Sequence, residues 1–138
     1  MTAWVRQMVG LSDAWSGVIQ DTASTSTLIA LLCARERATD YSMSRGGLQA
    51  QERPLVVYTS DQSHSSVEKA ALLAGFGRAN LRLVAHDPAY ALDLDTPEGA
   101  IRRDVAEGRQ PCAVVVTTVS FSTRPFALSR LLRPWRNP

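Results

Sequence analysis

Lysine is almost absent from this chain of 138 residues: Lys69 is the only one, and Ala70 follows it. No Gly-Lys-Ser/Thr step exists, so a P-loop is excluded. Cysteine is scarce as well. Cys33 and Cys112 each sit inside an apolar run, which argues against the cysteine-dense framework of small secreted domains. Both read as reduced core residues, because a buried cysteine behaves as a small hydrophobe, and a cytoplasmic protein is expected. Long apolar runs are also missing. The longest, Leu28 to Ala34, is far short of the ~20 residues needed to span a bilayer. The first residues hold one arginine and no apolar h-region, so no signal peptide is expected. These absences describe a soluble chain without a membrane partner.

Acidic residues are lacking over one stretch. Residues 119–138 carry Arg124, Arg130, Arg133 and Arg136 and no acid, a net of +4. The chain's 15 basic residues less these four leave 11 against all 13 acidic ones, so residues 1–118 carry −2. The formal charge of +2 therefore belongs to the tail. That tail also holds Phe126, Trp135 and three prolines, and is expected to be irregular. Basic segments with aromatics can contact nucleic acid or anionic membrane. Four arginines without a motif read instead as solubilising, and nucleic acid is not an expected partner. The body, in a chain 45% hydrophobic, has enough apolar content for one domain with a core.

Hydrophobic spacing orders that body. Trp4, Val5, Met8, Val9 and Leu11 predict a short helix over 2–11, and Gly17 to Gln20 a brief extended segment. Ser24 or a neighbour caps a helix over 25–39, with Leu28, Leu31 and Leu32 inward and Arg35 to Arg37 outward. Residues 42–53 read as a surface loop. Leu55 to Thr59 predict a strand, followed by a helix over 65–75 that ends at Gly75 and Gly77. Leu81 to Ala85 alternate as a half-buried strand, and His86 with Asp87-Pro88 reads as a surface turn. Thr96-Pro97-Glu98 starts a helix over 97–107, and 112–117 predicts a strand buried on both faces. Strands alternating with helices imply an α/β fold with a largely parallel sheet.

Two junctions carry the polar residues that could do chemistry. A helix starting near Ala23-Ser24 aims free backbone N–H groups and a positive dipole end at one spot, where Thr22, Ser24 and Thr25 hydroxyls add donors. That is a phosphate site, but every helix start needs capping residues, and this segment alone reads as a cap. His64 sits between the strand ending near Tyr58 and the next helix, where ligands of α/β proteins meet polar side chains. Alone it reads as a loop residue; its functional use is as a ring stacked on a cofactor or as an acid/base. Asp61 is a capping carboxylate or an orienter of His64. Glu68 and Lys69 read as a solvated helix face.

The run Asp61-Gln62-Ser63-His64-Ser65-Ser66-Val67-Glu68-Lys69-Ala70 resembles a motif of the pyridoxal-phosphate-dependent decarboxylases of the aromatic-L-amino-acid type, whose histidine stacks on the pyridine ring. Thr22-Ala23-Ser24, after Gly17-Val18-Ile19-Gln20, resembles the same family's phosphate-binding segment. The resemblance implies the large cofactor-binding domain of fold-type I, with its α/β/α layers. It further implies pyridoxal phosphate as cofactor and an L-amino acid, aromatic by family type, as substrate. It assigns His64 to catalysis and ring covering, and Thr22, Ala23, Ser24 and His64 to cofactor binding, with no metal. The family is homodimeric.

The resemblance runs to Thr117 or Thr118, so residues 1–118 are expected to form a partial large domain with an incomplete sheet and 119–138 a divergent tail. Where the family has a Gly-Thr-Thr turn, this chain has Val119-Ser120-Phe121-Ser122. The family's acid on the pyridine nitrogen, its Asn-x-His-Lys segment with the Schiff-base lysine, and the portion normally preceding Met1 have no counterpart. A decarboxylase fragment that is inactive by itself and binds pyridoxal phosphate weakly or not at all is the expectation, with the tail a frameshift product or a natural extension. A non-enzymatic α/β remnant with a helix-terminus anion site, or a basic-tailed interaction protein, stays open beside it.

Overall fold

Leu55-Val56-Val57-Tyr58 is an unbroken apolar run, and a strand with that pattern needs cover on both faces. In the computed structural model of the protein it forms β1 (Leu55–Ser60), the middle strand of a parallel sheet that has three strands among the described residues. The structure describes residues 1–8, 10–85 and 95–116. The expected turn at His86, the end of the last strand and the tail 119–138 lie outside them.

Helices α1 (Thr2–Met8) and α2 (Ala23–Ala38) precede β1, with two short 3-10 turns at Ser42–Ser44 and Gly47–Ala50 between α2 and the strand. Next come α3 (Ser65–Leu73), β2 (Leu81–Val84), α4 (Asp95–Ala106) and β3 (Gln110–Val115). The strand order is β2-β1-β3, with Val57 opposite both Leu81 and Ala113. The path from β1 to β2 runs one way across the sheet, and the path from β2 to β3 runs back. Right-handed crossovers then require α3 and α4 on opposite faces.

Alternation along β1 divides the core accordingly. Leu55 and Val57 face Leu31 of α2 and Ala70, Ala71 and Ala74 of α3, with Phe76 closing the cluster. Val56 and Tyr58 face the other way, with Val84, against Ala100 and Ile101 of α4. Val56, Val57 and Tyr58 are fully buried, and burying such a side chain stabilises by about 1.5–3 kcal/mol. Helix α3 stops where Gly75 takes φ +84, so that Phe76 N donates to Ala71 O at 3.1 Å and Gly75 N to Leu72 O at 3.0 Å. This pair of bonds satisfies the last carbonyls of the helix.

The direction of α2 follows from its far end. Gln110 Nε2 donates to Ala38 O at 2.7 Å, and Gln110 pairs with Leu55, the first residue of β1. Arg35 Nη1 donates to Ala74 O at 2.7 Å, at the end of α3. Both helices therefore finish at the N-terminal edge of the sheet. Leu28, Leu31, Leu32 and Ala38 all pack on the same core, so α2 lies along the sheet face. Its 16 residues span about 24 Å, enough to carry its N-terminus to the opposite edge.

Several expectations are corrected. Arg35 points inward, not outward: it follows Leu31 by one turn on the core-facing stripe, and only 11% of its side chain is exposed. Cys33 is exposed rather than buried, because it turns away from that stripe. Residues 42–53 are not a plain surface loop: Ser42 is buried and Leu48 packs on the core. Strand β3 is half-buried along its length, as an edge strand among the described residues. Helix α1 spans Thr2–Met8 and buries no residue.

Candidate functional site

The N-terminus of α2 is built by Thr22. This residue is extended (φ −139, ψ 160), and its Oγ1 accepts from Thr25 N at 3.1 Å. Its carbonyl accepts the first helical bond, from Ser26 N at 3.0 Å. The cap is therefore Thr22, not Ser24. The amides of Ala23 and Ser24 precede the first intrahelical bond and have no acceptor within the helix. They sit at the positive end of the helix dipole, in an exposed segment formed by Thr22, Ala23 and Ser24.

His64 builds the second terminus. It is the N-cap of α3, and its ring Nδ1 accepts from Ser66 N at 3.2 Å with Ser66 Oγ at 2.9 Å. Accepting through Nδ1 places the proton of the neutral ring on Nε2. The imidazole is thus held by its own helix while remaining exposed. The N-cap of α3 is His64, while the amide of Asp61 donates to Val84 O at 3.3 Å. Sequence reasoning missed Ser66 as the residue orienting the ring. Its signal is spacing, since an N-cap side chain bonds the amide two or three residues on.

The two termini share one edge. Helix α3 starts just beyond the C-terminal end of β1, and α2, on the same face, runs against the strands and begins at that edge too. With strand order β2-β1-β3 and all three strands parallel, the connections change their sense of crossing, which leaves a switch point between β1 and β3. Ligands of open α/β sheets bind in the crevice outside the carboxyl ends of the strands at such a switch point. Thr59, 2% exposed, closes the floor there: its hydroxyl bonds that of Ser63 and donates to Val115 O at 3.3 Å. Lys69 is exposed further along α3. Glu68, read as solvated, pairs with Arg78 at 2.7 Å.

The other ionisable cluster lies on the far face. Burial, then the hydrogen bond to Asp104, pushes the Tyr58 phenol well above its ordinary value. Burial opposes ionisation of Asp104, but hydrogen bonds from Arg82 and Tyr58 outweigh it and hold the carboxyl below its ordinary value. The Cys112 thiol is pushed up to about 11 by burial, with Arg35 opposing. Among the described residues, no group of three or more His, Cys, Asp or Glu is placed to hold a metal ion.

Comparison with known proteins now bears on this edge. The Pyridoxal-dependent decarboxylase conserved domain matches residues 1–125. The chain belongs to the pyridoxal-dependent decarboxylase family. It is 38% identical over 137 residues to the aromatic-L-amino-acid decarboxylase of Bos taurus, covering 91% of this chain and 28% of that protein. It is 41% identical over 133 residues to tryptophan decarboxylase 2 of Oryza sativa subsp. japonica, covering 88% and 26%. The crystal structure of Oryza sativa TDC with PLP and tryptamine superposes with a TM-score of 0.69 at 34% identity, covering 82% of this chain and 24% of that one. The chain thus spans about a quarter of the length of the curated relatives it matches. The α/β fold with its parallel sheet is that of the fold-type I pyridoxal phosphate enzymes.

The residues present fit pyridoxal phosphate. Two helix-end amides with adjacent hydroxyls suit a phosphate dianion, and a flat, exposed ring anchored at Nδ1 suits an aromatic partner. No helix among the described residues is long and apolar enough to cross a membrane.

Proposed function

We propose that this chain supplies the phosphate cup and the ring-covering histidine of a pyridoxal-phosphate-dependent L-amino-acid decarboxylase. The reading is supported by the placement of both helix N-termini, at Thr22–Ser24 and at His64, toward the carboxyl edge of the strands on one face of the sheet. Ala23 and Ser24 amides, with the Ser24 hydroxyl, hold the phosphate. Thr22 shapes that cup by capping. His64 would cover the pyridine ring, with Ser66 fixing the plane of its imidazole. When bound, pyridoxal phosphate supplies the electron sink for the pair left behind as carbon dioxide departs.

An aromatic L-amino acid is the proposed substrate, supported by the names of the bovine and rice relatives. Homodimerism is supported by exposed Trp4, Val5, Met8, Trp15, Val18 and Ile19, an apolar N-terminal stretch suited to a partner surface. A cytoplasmic location is supported by the two free thiols.

Calorimetric titration of the 138-residue chain tests the cofactor reading, using pyridoxal phosphate, pyridoxal and inorganic phosphate separately. The expected order is pyridoxal phosphate tightest, with both halves of the molecule contributing. Equal affinity for pyridoxal phosphate and inorganic phosphate would remove His64 from the site; binding of none would overturn the reading.

A further inference from the structure

Arg35 stands out among the side chains beneath α2. A leucine or methionine there would continue the stripe of Leu28, Leu31 and Leu32. A buried guanidinium carries a desolvation penalty of several kcal/mol, recovered only through good hydrogen bonds. Arg35 makes two such bonds: Nη1 to Ala74 O at 2.7 Å, and Nε to Glu36 Oε1 at 3.1 Å. Glu36 in turn accepts from Met43 N at 3.2 Å.

The rest of the contact between α2 and α3 has no direction. Leu31 shares one buried cluster with Ala70, Ala71 and Ala74, and packing against a smooth alanine face resists separation more than sliding. Two polar ties of α2, Arg35 to Ala74 and Gln110 to Ala38, lie at the N-terminal edge of the sheet. The candidate site lies at the other edge. Counting from the clamp, Ser24 is 11 residues back along α2, about 16 Å, and Ser65 nine residues back along α3, about 14 Å. The clamp therefore sets how nearly level the two N-termini stand.

We propose that Arg35 is a positioning residue: its bond to Ala74 fixes the axial register of α2 against α3, and so the separation between the Ala23–Ser24 amides and the His64 ring. The inference rests on reading that edge as the pyridoxal phosphate site, but the register itself is measurable without ligand. A rigid cofactor bridging the two termini is sensitive to such a slip, because binding groups must be held within about 0.5 Å of productive geometry.

The test uses the full chain with C33S and C112V, and nitroxides at S26C and K69C. R35M is expected to displace or broaden the label separation by about one residue's rise, ~1.5 Å, while circular dichroism shows it folded. R35K, which keeps a charged donor, is expected to restore the wild-type separation. If R35M does not fold, R35Q, whose arm falls short of Ala74 O, is read in its place with the same expectation. In unlabelled chains, R35M should lower affinity for pyridoxal phosphate about tenfold and leave that for inorganic phosphate unchanged, since the latter needs α2 alone. Loss of both affinities together would mark a merely structural role and overturn the proposal, as would an unchanged separation. A wild-type chain that binds neither ligand, with R35M still displaced, would overturn the site reading and support the register role.

Discussion

The phenol of Tyr58 donates to Oδ2 of Asp104 at 2.9 Å, tying the central strand to α4 on the face away from the candidate site. Arg82 grips the same carboxylate from β2, with Nη2 2.8 Å from Oδ1 and Nε 3.1 Å from Oδ2. Arg109, beyond the end of α4, adds a contact at 3.2 Å. One buried acid thus joins two strands and a helix, and holds β1 where its C-terminal end can present His64.

Removing that charge should be costly. D104N is expected to destabilise the chain by about 2–3 kcal/mol, below the figure for a fully buried pair because Arg82 and Arg109 keep part of their hydration. Y58F should lose about 1.5–3 kcal/mol, the worth of a hydrogen bond to a charged group. Urea unfolding measures both. A D104N loss within about 0.5 kcal/mol, the range of an ordinary surface change, contradicts the account.

The same pair sets opposite pH limits. Asp104 titrates lower in the folded chain than in the unfolded one, so its contribution is complete above about pH 4 and falls away as the solution is acidified further. Tyr58 titrates higher when folded; its contribution is present below about pH 10 and is lost as the pH climbs past that value. Unfolding followed across pH should therefore show an acid limb missing from D104N and an alkaline limb missing from Y58F. Parallel curves for wild type and variants at both extremes would refute the assignment.

His64 has two separable jobs. As N-cap of α3 it is replaceable by asparagine, among the best capping residues, whereas no asparagine can stack as an aromatic ring. H64N should match wild-type stability to about 0.5 kcal/mol yet bind pyridoxal phosphate about tenfold more weakly. H64A should lose both. If H64N binds as tightly as wild type, the ring has no part in the site.

The thiols should differ in reactivity. Exposed Cys33 is expected to react with a disulfide reagent at pH 8 well before Cys112, whose thiol is pushed up to about 11 by burial and so holds little of the reactive thiolate. Mass mapping after brief labelling distinguishes them, and equal labelling would contradict the structure.

Much of this arrangement is legible in the residues. The Leu55 to Tyr58 run followed by Asp61 to Ser66 announces a strand end, a polar junction and a helix start. What escapes a linear reading is decided by rotation and by neighbours. Arg35 stands beside Glu36 and Arg37 and reads as solvated, yet it lies one turn after Leu31 on the buried stripe. Cys33, two residues after Leu31, is turned by about 200° from it and faces out. The apolar Cys112 to Val116 run reads as central because strand order is a tertiary fact; it forms the sheet's edge among the described residues. Thr22 and Ser24 are chemically near-equivalent as caps, and only the backbone path decides between them.

One site formed by two helix N-termini is tested most directly by amide chemical shifts of the isotopically labelled chain during addition of pyridoxal phosphate. The account predicts that Ser24 at the start of α2 and Ser66 at the start of α3 shift together with a single dissociation constant, and that Lys69 and the Ala38 end of α2 stay in place. Shifts confined to one terminus, or centred on Lys69, would contradict it.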